Sequence, residues 1–234
     1  MAENKSNTYS LIFRSANCVC SVHNEFGEIS RQRWPLDLWH DSEEDLVRIL
    51  AQATAIQHNS ENIRIICQSK HFTFIPMALF SQDDAHYFLD FQGKTENSAV
   101  ICNIIEQKEI AVIFAVPLML VKSLSRFFDN AKINLHLTEI INNQQNTRGN
   151  YVQIYFAENI FDILIFEKKR LFFYNSFKFN TKEDVSYFLT VIFEQFSLSF
   201  EQTEIFVYNA ENQKDTIDLL KKSFKSILMI PSIY

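Results

Sequence analysis

Near the start of the chain, polar turns separate three short segments that resemble strands: 9–14, 18–22 and 27–33. Short runs that contain β-branched and aromatic residues and are bounded by polar turn residues are typical of strands. The polar segments between them, at 15–17 and 23–25, are short, and short turns join antiparallel strands. The chain is therefore predicted to begin with a three-stranded antiparallel meander.

The same pattern recurs in the second half of the chain, at 151–156, 160–166 and 170–174. A helix is predicted after each meander, because apolar residues there recur every three or four positions. The first helix follows the capping sequence Ser42–Asp45, and the second follows Thr181–Asp184. In both, a hydroxyl can accept a hydrogen bond from a free amide, and the acids that follow favour the positive end of the helix.

A fourth strand is predicted after each helix, at 63–67 and at 205–208. Equivalent positions lie at a nearly constant distance in sequence. Tyr9 and Tyr151 are 142 residues apart, Leu46 and Val185 are 139 apart, and Ile63 and Ile205 are again 142 apart. We therefore interpret the chain as a single duplication of a strand-strand-strand-helix-strand unit.

The second copy is predicted to end in a helix at 215–224 and a strand at 227–230, and the first in a strand at 72–75. Further elements are predicted between the copies: a helix from 81–84 to about Phe91, a hairpin of 99–106 and 109–116, a helix from Pro117 and a strand at 133–140. The polar run 142–150 marks the boundary. The predicted division is thus 1–145, with an extra α/β module at about 81–140, and 150–234.

A βββαβαβ unit that occurs twice resembles the actin-like ATPases, whose halves each have a ribonuclease-H-like core. The chain also resembles an uncharacterised bacterial family with that fold, in the segments 9–13, 72–80, 113–117 and 174–178 and in the helix after the last. This resemblance implies an α/β fold of two ribonuclease-H-like βββαβαβ halves in an actin-like arrangement, near the pilus-assembly and secretion-platform branch. It implies no activity, because none of these segments is catalytic.

Actin-like ATPases bind phosphates with the first hairpin of each half, in the pattern Asp-x-Gly followed by small or hydroxyl residues. Backbone amides approach the phosphates there, and the carboxylate holds a hydrated metal ion. The corresponding turns here, Arg14–Asn17 and Ala157–Asn159, contain neither glycine nor Asp, and Glu158 is their only acid. The adenosine-side glycine pair is also missing, at Asn209–Asn212.

Glycine is scarce along the whole chain, which has only Gly27, Gly93 and Gly149. An average composition would give roughly 16 glycines in a chain of this length. Neither G-x-x-x-x-G-K-[ST] nor G-x-G-x-x-G can be written from three isolated glycines. We therefore predict no cofactor and no cofactor-binding residue.

Other catalytic centres find no support in the sequence. A ribonuclease-H-type nuclease needs several carboxylates around two metal ions, but the first strands are apolar at 11–13 and 154–156, and the acids at the helix starts are explained by capping. No H-E-x-x-H or G-x-S-x-G motif is present. The six histidines are scattered: His23, His40, His58, His71, His86 and His136. We assign no catalytic residue and lean against an enzyme.

The four cysteines are Cys18, Cys20, Cys67 and Cys102. A metal site with two thiolates at Cys18 and Cys20 would need further ligands nearby. We favour the interpretation of all four as small core residues in a reducing compartment, and predict no metal site.

A net charge of −6 argues against a nucleic-acid-binding surface, which is expected to be basic. The polar residues 1–7 lack the apolar segment of a signal peptide. The longest apolar run, 110–121, is shorter than the roughly 20 residues of a membrane span. We expect a cytoplasmic protein with no nucleic-acid partner and no membrane span.

Phenylalanine is unusually abundant, with 23 residues, of which eleven lie between Phe161 and Phe206. Core packing is the expected role of most of them. Phe172 and Phe173 are neighbours in a strand, so both are buried only if both faces of the sheet are covered. Phe177 and Phe179 follow them, and if exposed they would mark an interaction patch.

The leading hypothesis is a non-catalytic protein-interaction or scaffold protein on a degenerate actin-like fold, with a protein partner or with self-association. The alternative is a nucleotide-binding actin-like ATPase with divergent phosphate loops. Stabilisation of the protein by ATP and magnesium would distinguish the two.

Overall fold

The computed structural model describes residues 7–56, 62–91, 96–129, 131–142, 149–157, 159–168 and 170–230. The chain divides into two compact units, Met1–Asn142 and Asn143–Ile233. Each unit contains a five-stranded sheet with helices, so the protein is of the mixed α/β class.

The elements of the first unit, in chain order, are β1 (Thr8–Phe13), β2 (Asn17–Asn24), β3 (Gly27–Pro35), α1 (Glu43–Ala55), β4 (Asn62–Cys67), β5 (Phe72–Pro76), α2 (Ala85–Asp90), β6 (Ser98–Ile105), β7 (Ile110–Pro117), α3 (Leu118–Phe127), β8 (Ile133–Leu135) and α4 (His136–Asn142). Its main sheet has the order β3-β2-β1-β4-β8. Strands β1, β4 and β8 are parallel, and β1, β2 and β3 form the predicted antiparallel meander.

The second unit contains β9 (Tyr151–Ala157), β10 (Ile160–Glu167), β11 (Arg170–Lys178), α5 (Lys182–Gln195), β12 (Glu204–Tyr208), α6 (Lys214–Leu220) and β13 (Ile227–Met229). Its sheet has the order β11-β10-β9-β12-β13, and corresponding strands pair in the same directions as in the first unit. The meander, the helix after it and the fourth strand are therefore found in both units, as the hydrophobic pattern predicts.

The two predicted helix starts are confirmed in atomic detail. The Ser42 side chain accepts a hydrogen bond from the Asp45 amide at the start of α1. At the start of α5, Thr181 Oγ1 accepts from the Asp184 amide, while the Asp184 carboxylate accepts from the Thr181 amide at 2.9 Å. This reciprocal capping box satisfies two amides that have no partner inside the helix.

The prediction that strand 72–75 completes the first copy is wrong. This segment forms β5, which pairs antiparallel with β7 in a separate three-stranded sheet of order β5-β7-β6. The fifth place in the main sheet is taken by β8, beside β4. Strand β7 is buried along its whole length, so its backbone amides and carbonyls need hydrogen-bond partners, which β5 and β6 supply.

The predicted strand 133–140 is also partly wrong. Only Ile133–Leu135 is a strand, and the chain continues as helix α4 from His136. Ile133, Leu135 and Leu137 fit the alternation of a strand, but Leu137, Ile140 and Ile141 also fit the spacing of a helix and are buried. Pro117, predicted as the first helical residue of the preceding helix, instead ends β7 with an extended ψ of 134°.

The core of the second unit lies between one face of its sheet and helices α5 and α6. Three buried phenylalanines show how it is filled: Phe161 on β10, Phe193 on α5 and Phe224 after α6. The rings of Phe193 and Phe224 meet edge to face, with 4.8 Å between centroids. Most of the phenylalanines in this half therefore pack in the core, as expected from the sequence.

Candidate functional site

The turn between β1 and β2 is where the actin-like resemblance places phosphate binding in the first unit. Its backbone is engaged in the protein's own hydrogen bonds. The Arg14 amide donates to the Asn17 carbonyl at 2.8 Å, and the Leu36 amide donates to the Ala16 carbonyl at 3.2 Å. The Gln68 amide, after β4, donates to the Phe13 carbonyl at 2.8 Å. The amide of Arg14 is therefore not directed at a ligand, as phosphate-binding turns require.

Two buried polar atoms in the same turn lack a partner among the described residues: Nε of Arg14 and Oδ1 of Asn17. One is a donor and the other an acceptor. Buried polar atoms of this kind are commonly satisfied by ordered water. The turn thus has polar side chains but lacks the carboxylate that holds a metal ion beside phosphates.

The equivalent turn of the second unit joins β9 to β10. Glu158, the one acid of this turn in the sequence, lies outside the described residues. The carbonyl of Asn159 accepts a hydrogen bond from the Phe179 amide at 2.9 Å, which ties the turn to the chain after β11. This bond is a structural link between neighbouring strands.

The loop after β12 holds Asn209 in place of a glycine. Asn209 has a left-handed backbone, with φ of 54°, a conformation that Asn tolerates better than most residues. Its side-chain amide donates to the Phe156 carbonyl at the end of β9. Ala210 is buried, and its carbonyl accepts from the Gln213 amide at 2.9 Å. The loop is therefore closed by side-chain and backbone bonds within the unit.

The structure brings Cys18, Cys20 and Cys67 to one side of the first sheet, where all three are buried. Burial raises the pKa of Cys18 well above its ordinary value and that of Cys67 to about 12. Metal binding requires thiolates, and this environment keeps the thiols protonated. Among the described residues, no group of three or more His, Cys, Asp or Glu side chains is arranged to hold a metal ion.

The histidines lie in separate environments in the described part of the chain. His40 lies 2.9 Å from Asp37, His23 lies 3.2 Å from the Ser21 hydroxyl, and the His71 ring meets Trp39 edge-on. His136 is buried in α4, and His86 contacts the ring of Tyr87. His58 lies outside the described residues.

A buried carboxylate that the sequence analysis did not single out lies on β10. Asp162 accepts a hydrogen bond from the Tyr174 hydroxyl of β11 at 2.9 Å. Burial, together with the negative charge of Asp162, raises the pKa of Tyr174. The sequence signal was an acid in an otherwise apolar strand, which needs a partner when buried.

A second buried polar group, Asn103 of β6, makes three hydrogen bonds. Its side-chain amide donates to the Ile133 carbonyl at 3.0 Å, and its oxygen accepts from the Leu135 amide at 2.9 Å and from the Thr138 hydroxyl at 3.1 Å. These bonds attach the β6–β7 hairpin to β8 and α4. The role of Asn103 is therefore to position this hairpin.

Phe177 and Phe179, which would mark an interaction patch if exposed, are half-buried and buried respectively. Phe179 is buried, and Phe177 stacks on Phe188 of α5 with 4.6 Å between ring centroids. Phe172 is instead exposed, at 57% of its surface. An apolar surface does exist along β11 and α5, but different side chains form it. We call it the aromatic edge and define it by Phe172, Phe173, Phe177, Tyr187, Phe188, Val191 and Phe196.

Comparison with known proteins identifies the family. Residues 4–227 match the family model described as Protein of unknown function (DUF3822). The chain belongs to this family. No curated protein matches the sequence.

Solved structures show the fold of this DUF3822 protein. A Bacteroides thetaiotaomicron protein of unknown function with an actin-like ATPase fold is 21% identical, with a TM-score of 0.77 over 97% of this chain and 92% of that chain. The PilM–PilN type IV pilus biogenesis complex contains a chain that is 6% identical, with a TM-score of 0.55 and coverage of 95% and 88%. Ethanolamine utilization protein EutJ from Carboxydothermus hydrogenoformans is 6% identical, with a TM-score of 0.52 and coverage of 97% and 85%. The predicted actin-like fold is thereby confirmed.

The described helices of this DUF3822 protein include none with the length and apolar character needed to cross a membrane.

Proposed function

We propose that this DUF3822 protein is a non-catalytic protein-interaction or scaffold protein, built on an actin-like fold that no longer binds phosphates. One observation carries the proposal. The three turns that correspond to phosphate- and adenosine-binding elements lack both glycine and Asp. Backbone atoms of Arg14, Asn159 and Ala210 and the side-chain amide of Asn209 take part in internal hydrogen bonds.

The retained architecture supports a structural role. Both units have the same strand order and the same strand directions, and equivalent positions lie about 140 residues apart in sequence. An internal duplication accounts for both facts. Because folding and function are separable, a fold of this kind can persist for its surfaces after its ligand chemistry has been lost.

The solved structures give independent support. One similar chain lies in a pilus biogenesis complex of two different proteins, PilM and PilN. A protein partner is therefore the kind of ligand we propose for this chain, with self-association as the second form of the same role. The division into 1–145 and 150–234, a cytoplasmic location and the absence of a nucleic-acid partner belong to the same proposal.

Affinity capture combined with sedimentation tests the role. The tagged full chain is expected either to retain a partner at a fixed stoichiometry after washing or to sediment as an oligomer at micromolar concentration. A chain that sediments as a monomer and retains no protein from cells that express it would contradict an interaction role. A surface variant of Lys222, which is exposed on the last turns after α6, provides a control for charge-dependent adsorption.

A further inference from the structure

In the described part of the chain, the strand β11 is an edge of the second sheet, because it pairs with β10 only. It is nine residues long and contains no glycine, proline, Asp or Glu. An unpaired edge of this kind presents a row of backbone amides and carbonyls that can pair with another chain. The edge strand of the other sheet differs, because β3 ends in Pro35 and carries Glu28, Arg31 and Arg33, which are features that discourage pairing.

The aromatic edge supplies an apolar surface beside this edge strand. Phe177 stacks on Phe188, with 4.6 Å between centroids, and Phe173 packs on Phe196 at 4.7 Å. Phe188 and Phe196 are eight positions apart, which corresponds to about 12 Å along a helix. Phe173 and Phe177 are four positions apart, which corresponds to about 13 Å along a strand. The two rows therefore match in length and run side by side.

Three side chains of the aromatic edge remain accessible to a partner. Tyr187 and Val191 lie one helical turn apart on α5 and are 64% and 39% exposed. Phe172 is the additional residue at a register shift between β10 and β11, and its ring contacts Phe196 edge to face. A strand added to β11 would lie about 4.8 Å away, with alternate side chains toward α5. Those side chains would lie next to Phe173 and Phe177, which pack on Phe196 and Phe188.

The charges at the ends of β11 indicate which kind of partner strand it can accept. Arg170 and Lys178, both exposed, stand at the two ends of β11, and exposed Lys168 precedes them. Glu167 of β10 lies opposite Arg170, whereas Lys178 faces Ile160. Since β11 has no acid, pairing with a second copy of β11 can create no opposite-charge pair in any register. Like charges placed opposite each other are destabilising.

We propose that β11 accepts an extended segment of a partner protein as an additional strand, with apolar side chains toward α5 and acidic residues at its ends. Backbone hydrogen bonds to β11 supply affinity, while Tyr187, Val191 and the terminal basic residues select the sequence. This inference rests on the proposed interaction role and names the surface and the chemistry of the partner.

The test uses a fluorescent nine-residue peptide of alternating valine and threonine with glutamate at both ends, titrated with the full chain. We expect saturable binding, with a dissociation constant below roughly 1 mM. N-methylation of one alternate set of peptide amides should weaken binding about tenfold or more, whereas methylation of the other set should have little effect. Only one edge of an added strand faces β11, so a purely ionic or apolar contact would not show this alternation.

Protein variants complete the test. K178E and F172S should each weaken peptide binding several-fold, whereas the matched control K222E should not. Thermal melting checks that each variant is folded. No binding by the unmethylated peptide, or equal loss with both methylated sets, would overturn the proposal. A dimer of the chain that F172S dissociates would also overturn it, in favour of a second copy as the occupant. If the peptide fails while affinity capture still retains a partner, β11 is excluded and the scaffold role stands.

Discussion

Replacement of Asn103 by Ala tests how the hairpin β6–β7 is fixed to the first unit. Asn103 is 1% exposed and satisfies the Ile133 carbonyl, the Leu135 amide and the Thr138 hydroxyl. Each buried group left without a partner costs about 1–3 kcal/mol. With partial relaxation around three such groups, we expect N103A to lower the free energy of unfolding by about 3–5 kcal/mol.

The assay is urea denaturation followed by far-UV circular dichroism, with Asn175→Ala as the matched control. Asn175 is an exposed residue of β11 whose side chain accepts a hydrogen bond from the adjacent Ser176 amide, so N175A should change stability by no more than about 0.5 kcal/mol. A loss below about 1 kcal/mol for N103A would refute the reasoning, because water would then replace the lost side chain at little cost.

Three further substitutions or reactions probe the described structure. T181A removes half of the α5 capping box and should cost about 1 kcal/mol in thermal unfolding. Backbone hydrogen bonds from Asn180 and Thr181 lower the pKa of Asp184. The stabilisation by the Asp184 carboxylate is therefore present above the ordinary pKa and is lost as the pH falls through the lowered pKa. The stability difference between wild type and D184N should shrink below about pH 4. With a thiol reagent at pH 8, Cys102 should react before buried Cys67, and simultaneous reaction of both would contradict the described burial.

Local signals in the sequence predicted the structure well. The starts of α1 and α5 follow from hydroxyl and acidic residues three positions apart, since a capping box involves only neighbours in sequence. The meanders follow from short strand-like segments joined by short polar turns. The actin-like fold could be predicted through a resemblance, because two such blocks have the same order and spacing.

The remaining features could not be predicted, because they depend on contacts between residues that are far apart in sequence. The segment 72–75 is correctly a strand, but periodicity does not state which strand lies beside it, and β7 rather than β4 is its neighbour. The bonds of Asn103 join it to residues 30 to 35 positions away, and the partner of Asp162 is 12 positions away. Such partners are brought together only by the fold.

For the candidate site, the sequence predicted the three turns but not the hydrogen bonds that their residues make. The lack of glycine and Asp at Arg14–Asn17 is visible directly in the residue types. That Asn209 takes a left-handed conformation and binds the Phe156 carbonyl requires the structure. The exposure of Phe172 in the aromatic edge could not be predicted either, because Phe172 is the additional residue at a register shift in the β10–β11 pair.

The central claim, that this actin-like fold no longer binds phosphates, is tested most directly by thermal unfolding with millimolar ATP and magnesium, compared with magnesium alone. A ligand at 100 times its dissociation constant stabilises a protein by about 2.7 kcal/mol, which for a chain of this size raises the melting temperature by roughly 5–10 °C. We predict no increase beyond that seen with magnesium alone. A saturable increase that depends on ATP concentration would contradict the account and establish a nucleotide site.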